Sequence, residues 1–105
     1  MVNSATVIEL QAALSSRGVR VVDVREKYEF DGGHVPGAVH IPMSVVPLRI
    51  EDIKDRGNAD PVWVICESGA RSWQVADYLT RHGLSVVNVD GGTSAWRANG
   101  LPLEK

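Results

Sequence analysis

The sequence holds a single cysteine, Cys66, so no disulfide can close within the chain. Its three histidines are scattered and have no acidic companions at ligand spacing, so no metal site is expected. Lysine and arginine number 11 against 13 aspartates and glutamates, for a net charge of -2. That balance gives no basic stripe to neutralise phosphates, and a nucleic-acid partner is excluded from the expectation. No apolar run approaches the length that spans a bilayer, and Met1-Val2-Asn3-Ser4-Ala5-Thr6 lacks the charged start and apolar stretch of a secretion signal. A cytoplasmic monomer with no membrane association is the expectation. No repeat or low-complexity segment is visible. With 105 residues, 44% of them hydrophobic, the chain can bury one core and leaves no length for a second, so residues 1–105 are expected to form one domain.

What is present alternates between two periodicities. Thr6-Val7-Ile8-Glu9 has the form of a capping box, in which the Thr6 hydroxyl and the Glu9 carboxylate each satisfy a free N-H of the first helical turn. Val7, Leu10 and Leu14 then share a helical face, and Gly18 suits the stop. Residues 19–24 are a β-branched run dense enough for a buried strand. Residues 26–31 have the length of a short helical turn, broken by Gly32-Gly33-His34-Val35-Pro36-Gly37. A short strand over 38–41 ends at Pro42; His40 within it has no evident partner. Residues 43–60 carry one or two short helices and then a loop over 55–60, and their charges read as a solvated face. Residues 61–65 form another apolar strand, and from Arg71 the pattern turns helical, with Val75, Ala76 and Leu79 on the buried side and Arg81 and His82 at the end that favours positive charge. Residues 86–89 are a further strand. The last helix lies around 93–98, with Trp96 as a core anchor. Strands alternating with helices imply a parallel sheet covered on both faces, with the site at the strand C-terminal ends.

Cys66 stands at such an end, in the loop Cys66-Glu67-Ser68-Gly69-Ala70-Arg71-Ser72. A loop entering a helix aims several free backbone N-H groups at one point, and the helix dipole adds about half a positive charge there. A thiol with a pKa of about 8.5 is only about 3% thiolate at pH 7, whereas a pKa of about 6.5 would raise this to about three quarters. A lone cysteine is usually a buried structural thiol. Here Gly69 and Ala70 keep the loop small and Arg71 brings a fixed charge near the sulfur, so the loop reads as one built for a nucleophile.

The same loop resembles the active-site loop of single-domain rhodaneses, which are sulfurtransferases. Val22-Asp23-Val24-Arg25-Glu26 through Gly33-His34-Val35-Pro36-Gly37-Ala38 to Ile41-Pro42, and Gly91-Gly92-Thr93-Ser94-Ala95-Trp96 to Gly100-Leu101-Pro102, agree with it in order and spacing, over about residues 6–102. The resemblance implies an α/β protein with the rhodanese-like three-layer α/β/α fold and a five-stranded parallel sheet. A fifth strand is then needed near residues 2–5, where the sequence carries little strand signal. It also implies that Asp23 and Arg25 tie a strand end to neighbouring loops, and that His34 belongs to a turn that shapes the fold. The implied activity moves a sulfane sulfur from a donor such as thiosulfate or a persulfide, through a Cys66 persulfide, to a thiophilic acceptor. Cys66 and Arg71 are the expected catalytic residues, and the backbone of Glu67, Ser68, Gly69, Ala70 and Arg71 is the expected cradle for the terminal sulfur. No cofactor is expected. With no second cysteine, the acceptor must come from outside: cyanide, thioredoxin, glutathione or another protein thiol.

Two rival readings bear on the same loop. Phosphatases and arsenate reductases of the superfamily place the arginine six positions after the cysteine; here Arg71 is the fifth and Ser72 the sixth, and the smaller ring suits one sulfur better than a phosphate. A persulfide carrier or redox-sensing thiol is the other, since accessible low-pKa thiolates also oxidise readily. Glu67 directly follows the nucleophile. At about 6 Å and an effective dielectric of 20 to 80, one like charge costs a thiolate or anionic donor about 0.7 to 3 kcal/mol, with Arg71 opposing it. A net field this weak makes thiosulfate an expected poor donor, and Glu67→Lys is expected to favour it.

Overall fold

The computed structural model describes residues 2–54 and 60–105. Five strands, β1 (Asn3–Ala5), β2 (Val21–Asp23), β3 (Val39–His40), β4 (Val62–Ile65) and β5 (Val86–Val89), alternate with helices α1 (Val7–Ser16), α2 (Lys27–Asp31), α3 (Ile50–Lys54), α4 (Ala70–Arg81) and α5 (Gly92–Ala98). A 3-10 helix over Met43–Arg49 precedes α3. The strands form one sheet in the order β1-β5-β4-β2-β3, and every neighbouring pair is parallel. The weakly signalled first strand therefore exists, as a short edge strand held by β5 through Asn3 to Ala5. The loop expected over 55–60 lies, except for Asp60, outside the described residues.

Both faces of the sheet are apolar because successive strand residues point to opposite sides. Val62 and Val64 of β4 join Val22 and Val86 beneath the 3-10 helix, α3 and α4, whose Val46, Ile53, Val75, Ala76 and Leu79 complete that layer. Trp63 and Ile65 point the other way, into a second layer with Val7, Leu10 and Ala13 of α1 and Trp96 of α5. These two apolar layers make the fold three layers deep, as expected.

The sequence signals fall close to the elements. Glu9 accepts from the Thr6 N-H at 2.8 Å and the Glu9 N-H donates to the Thr6 hydroxyl at 3.1 Å, closing the capping box of α1. β2 is shorter than the run 19–24, yet its pairing with β4 continues past both ends: Trp63 N-H donates to the Arg20 carbonyl at 2.9 Å and Val24 N-H to that of Ile65 at 3.0 Å. Trp96 is buried, and its indole N-H donates to the Pro102 carbonyl at 2.7 Å, pinning the end of the chain. His34 stacks on Phe30 with ring centroids 3.7 Å apart and sits against the Phe30 carbonyl, within the turn that leads to β3. His40, for which no partner was evident, has two: its Nε2 lies 2.7 Å from the Arg25 carbonyl, and its ring stacks on that of Phe30 with centroids 4.6 Å apart. Those partners are 10 to 15 positions away in the chain, which is why a local reading misses them.

Candidate functional site

Cys66 follows β4, the middle strand of the sheet, so its loop lies between the ends of β2 and β5. The loop has two sides of opposite polarity. Its carbonyls face α5, whose first-turn N-H groups need acceptors. Thr93 N-H donates to the Cys66 carbonyl at 2.8 Å and Ser94 N-H to the Glu67 carbonyl at 2.9 Å, and the Thr93 hydroxyl adds a bond to Cys66 at 3.1 Å. With the carbonyls drawn away, the N-H groups turn inward. Gly69 N-H donates to the Cys66 Sγ at 3.1 Å, and the Ser72 hydroxyl lies 3.3 Å from it.

Glycine makes this approach possible. Gly92, at φ 59°, lies so close under the loop that an added Cβ would meet the Glu67 carbonyl oxygen at 2.6 Å and the Cys66 carbonyl oxygen closer still. Gly69, at φ 107°, takes the left-handed turn into α4.

Cys66 is only 1% exposed, and burial pushes its thiol up. Hydrogen bonds from the Ser72 side chain and from the backbone N-H groups of Ser72, Gly69 and Ser68 outweigh burial, and the thiol sits below its ordinary value. The donors that reach the sulfur thus come from Ser68, Gly69 and Ser72. Glu67 gives its carbonyl to α5, and Ala70 and Arg71 open α4, where the first-turn N-H groups have no acceptor within the helix.

The charged groups around the loop are paired. Arg25 is almost wholly buried and donates to both Asp23 oxygens at 2.9 to 3.1 Å, to the Gly33 carbonyl at 2.8 Å and to Glu67 Oε1 at 3.0 Å. Burial works against its charge, but Asp23 and Glu67 outweigh it and the guanidinium stays firmly protonated. The second oxygen of Glu67 accepts from Arg97 of α5 at 3.1 Å. Glu67 is therefore not the bare carboxylate that its place in the sequence implied. Two guanidinium groups offset it, and the electrostatic cost assigned to it above does not apply. Arg71 is held in turn by Glu29 of α2 through two bonds, at 2.8 and 2.9 Å. That pairing raises the Arg71 pKa and holds the Glu29 carboxyl at about 2. Three cations, Arg25, Arg71 and Arg97, face three anions, Asp23, Glu29 and Glu67. A weak field follows from this pairing, by a route that sequence alone did not show.

Sequence reading placed Ser72 in the loop without a contact to the sulfur, and missed Asn88, Glu29 and Arg97. Asn88 had a signal, as the one polar residue in the Val86-Val87-Asn88-Val89 strand, and it is buried. Glu29 and Arg97 sit on separate helices and meet the loop only in the fold. Among the described residues no group of three or more histidine, cysteine or acidic side chains is placed to hold a metal, and no helix is long and apolar enough to cross a membrane.

A parallel sheet with helices on both faces, and a cysteine loop docked at its centre, defines a known class. The rhodanese-like domain family model matches residues 6–99. The chain belongs to that family. It is 39% identical over 95 residues to a protein of Allochromatium vinosum named sulfurtransferase, covering 89% of this chain and 85% of that one. It is 41% identical over 83 residues to the putative sulfurtransferase YtwF of Bacillus subtilis, with 78% and 77% covered. The crystal structure of a rhodanese-like domain protein from Staphylococcus aureus superposes with a TM-score of 0.84 at 35% identity, over 98% of this chain and 99% of that one.

Two outcomes test the geometry. Gly92→Ala forces a side chain against the loop carbonyls at a positive φ, and is expected to lower stability by more than about 2 kcal/mol and to slow alkylation of Cys66; a wild-type Tm in that variant would contradict the docking. Glu29 is depressed in the folded state, so its contribution is full above the ordinary carboxylate pKa, about 4.3, and is lost as the pH falls towards 2. Glu29→Gln is accordingly expected to be less stable than the native protein at pH 7, with the gap closing across that acid window in pH-dependent denaturant titrations.

Proposed function

We propose that the protein is a sulfurtransferase with Cys66 as its nucleophile. The observation that carries this reading is the polar surround of one sulfur: Gly69 N-H donates to it at 3.1 Å and the Ser72 hydroxyl stands 3.3 Å away. In the proposed cycle the Cys66 thiolate attacks the sulfane sulfur of a donor. A sulfur-sulfur bond forms as the donor's own bond to that sulfur breaks, and the electron pair leaves with the departing group, sulfite when the donor is thiosulfate. The inward N-H groups stabilise the negative outer sulfur of the persulfide. A thiophilic acceptor, cyanide or an external thiolate such as glutathione, thioredoxin or another protein thiol, then attacks the outer sulfur and regenerates the thiolate. Ping-pong kinetics follow from the two displacements. Ser72, at the sixth position after Cys66, turns its hydroxyl to the sulfur, where a phosphatase of this superfamily would offer a guanidinium.

The charge balance favours a donor of low charge. Arg71 is held by Glu29, so among the described residues every guanidinium of the site is already paired, and a persulfide is the donor that fits best. Intact mass after incubation with thiosulfate, and separately with a low-molecular-weight persulfide, tests both parts. A gain of about 32 Da that cyanide removes and Cys66→Ser abolishes is expected, and it should be faster with the persulfide. No gain with either donor, while the thiol still alkylates, would overturn the reading; one stoichiometric burst without turnover would assign a carrier instead. Glu29→Gln frees Arg71, and is expected to raise kcat/KM for thiosulfate several-fold while leaving the persulfide reaction nearly unchanged.

A further inference from the structure

The Ser72 hydroxyl has one proton and three acceptors within reach: Cys66 Sγ at 3.3 Å, the Gly69 carbonyl at 3.3 Å and Asn88 Oδ1 at 2.6 Å. A hydroxyl donates once, so these bonds compete. The shortest is to Asn88. Its amide is turned this way because the other end, Nδ2, donates to Asp90 Oδ1 at 3.3 Å; reversing it would set the Asn88 oxygen against a carboxylate. Ser72 and Asn88 are both buried, with 0% and 2% of their surface exposed, so water does not stand in for a missing partner.

We propose that Asn88 is a positioning residue for the nucleophile, holding the Ser72 proton away from Cys66 while the thiol is neutral. In that arrangement the Ser72 oxygen has a lone pair for the Cys66 S-H. When the sulfur carries charge, as thiolate or as persulfide, the hydroxyl must swing to it. Two oxygens 2.6 Å apart are then left without a proton between them, unless the amide gives up Asp90 and turns. Asn88 thus limits how far the loop lowers the Cys66 pKa, and so how much thiolate stands ready at neutral pH. The inference rests on Cys66 being the reacting sulfur, as proposed above. The other charged groups on the elements packed around Cys66 are Arg25, Arg71 and Arg97 with Asp23, Glu29 and Glu67, the pair of Asp77 and Arg81 on α4 and the pair of Lys27 and Asp31 on α2, and His40 of β3 is turned to the Arg25 carbonyl. That leaves Asp90 after β5, whose charge the test must separate from its hold on the amide.

The test is a double-mutant cycle on the thiol titration, read from thiolate absorbance and from the pH profile of alkylation, for which the single cysteine gives an unambiguous signal. Asn88→Leu releases the Ser72 proton to the sulfur and is expected to lower the midpoint by about one unit, raising alkylation at neutral pH several-fold. Ser72→Ala is expected to raise it. In the Ser72→Ala background Asn88→Leu is expected to have no further effect, because it acts only through that hydroxyl. An equal shift in both backgrounds, or a rise in the single variant, would overturn the proposal. The exposed Asp90 gives a second reading that spares the core. Asp90→Ala frees the amide and should lower the midpoint, whereas Asp90→Asn keeps an acceptor and should leave it near wild type; equal shifts would assign the effect to charge alone and overturn the amide's role. None of these readouts needs sulfur transfer, so a protein that accepts no sulfur from any donor would sink the function proposed above and leave this cycle readable.

Discussion

The bonds from the first turn of α5 to the carbonyls of Cys66 and Glu67 are the constraint on which the rest of the site depends. A peptide unit cannot point its C=O and its N-H to the same side, so drawing the carbonyls to α5 turns the following N-H groups toward the sulfur. The unsatisfied donors of one helix thereby organise the donors of a loop in front of another. Gly91 and Gly92 allow that approach, and Trp96, anchored to the Pro102 carbonyl, fixes the height at which α5 stands. The C-terminal quarter of the chain, which touches no reacting atom, therefore shapes the candidate site through the loop backbone.

Charge is handled by pairing. Arg25 is the clearest case: buried with Asp23, it also reaches Gly33 before β3 and Glu67 beside Cys66. A buried ion pair of this kind is a poor source of net stability, because desolvation of both partners offsets their attraction. Its consequence here is geometric, since one guanidinium fixes three chain segments that meet at the C-terminal ends of the strands. Glu29 does the same for Arg71 and links α2 to α4. Among the described residues every cation near the loop is matched, and on the sulfurtransferase reading proposed above the hydrogen bonds to the sulfur do the selecting, favouring a single polarizable atom over a multiply charged oxyanion.

Much of the fold was legible from pattern because its strongest signals are local. The capping box at Thr6 and Glu9, the β-branched runs around Val22 and Val64, and the helical face of Val75, Ala76 and Leu79 each decide their element within a few residues. β1 was faint because Asn3-Ser4-Ala5 has no strand pattern of its own and pairs only by lying along β5. In the candidate site, the cysteine loop and its neighbours could be read from spacing. The partners of Glu67 and Arg71 could not: Arg97 lies 30 residues from Glu67, and Glu29 lies 42 from Arg71. In the sequence Glu67 could be weighed only against Arg71, whereas in the fold its partners are Arg25 and Arg97. Ser72 and Asn88 were passed over for the converse reason, since a serine in a helix and an asparagine in a strand become informative only when both are seen to be buried and in contact.

The polarity of the loop lowers the Cys66 pKa despite near-complete burial. The most direct measurement is the titration of that thiol in the unmodified protein, followed by thiolate absorbance, beside the same chain unfolded in denaturant. The account predicts a midpoint in the folded protein below that of the unfolded chain, where an ordinary thiol titrates near about 8.5. A folded midpoint at or above the unfolded one would mean that burial dominates, that the inward N-H groups do not hold the sulfur as described, and that the cysteine is structural.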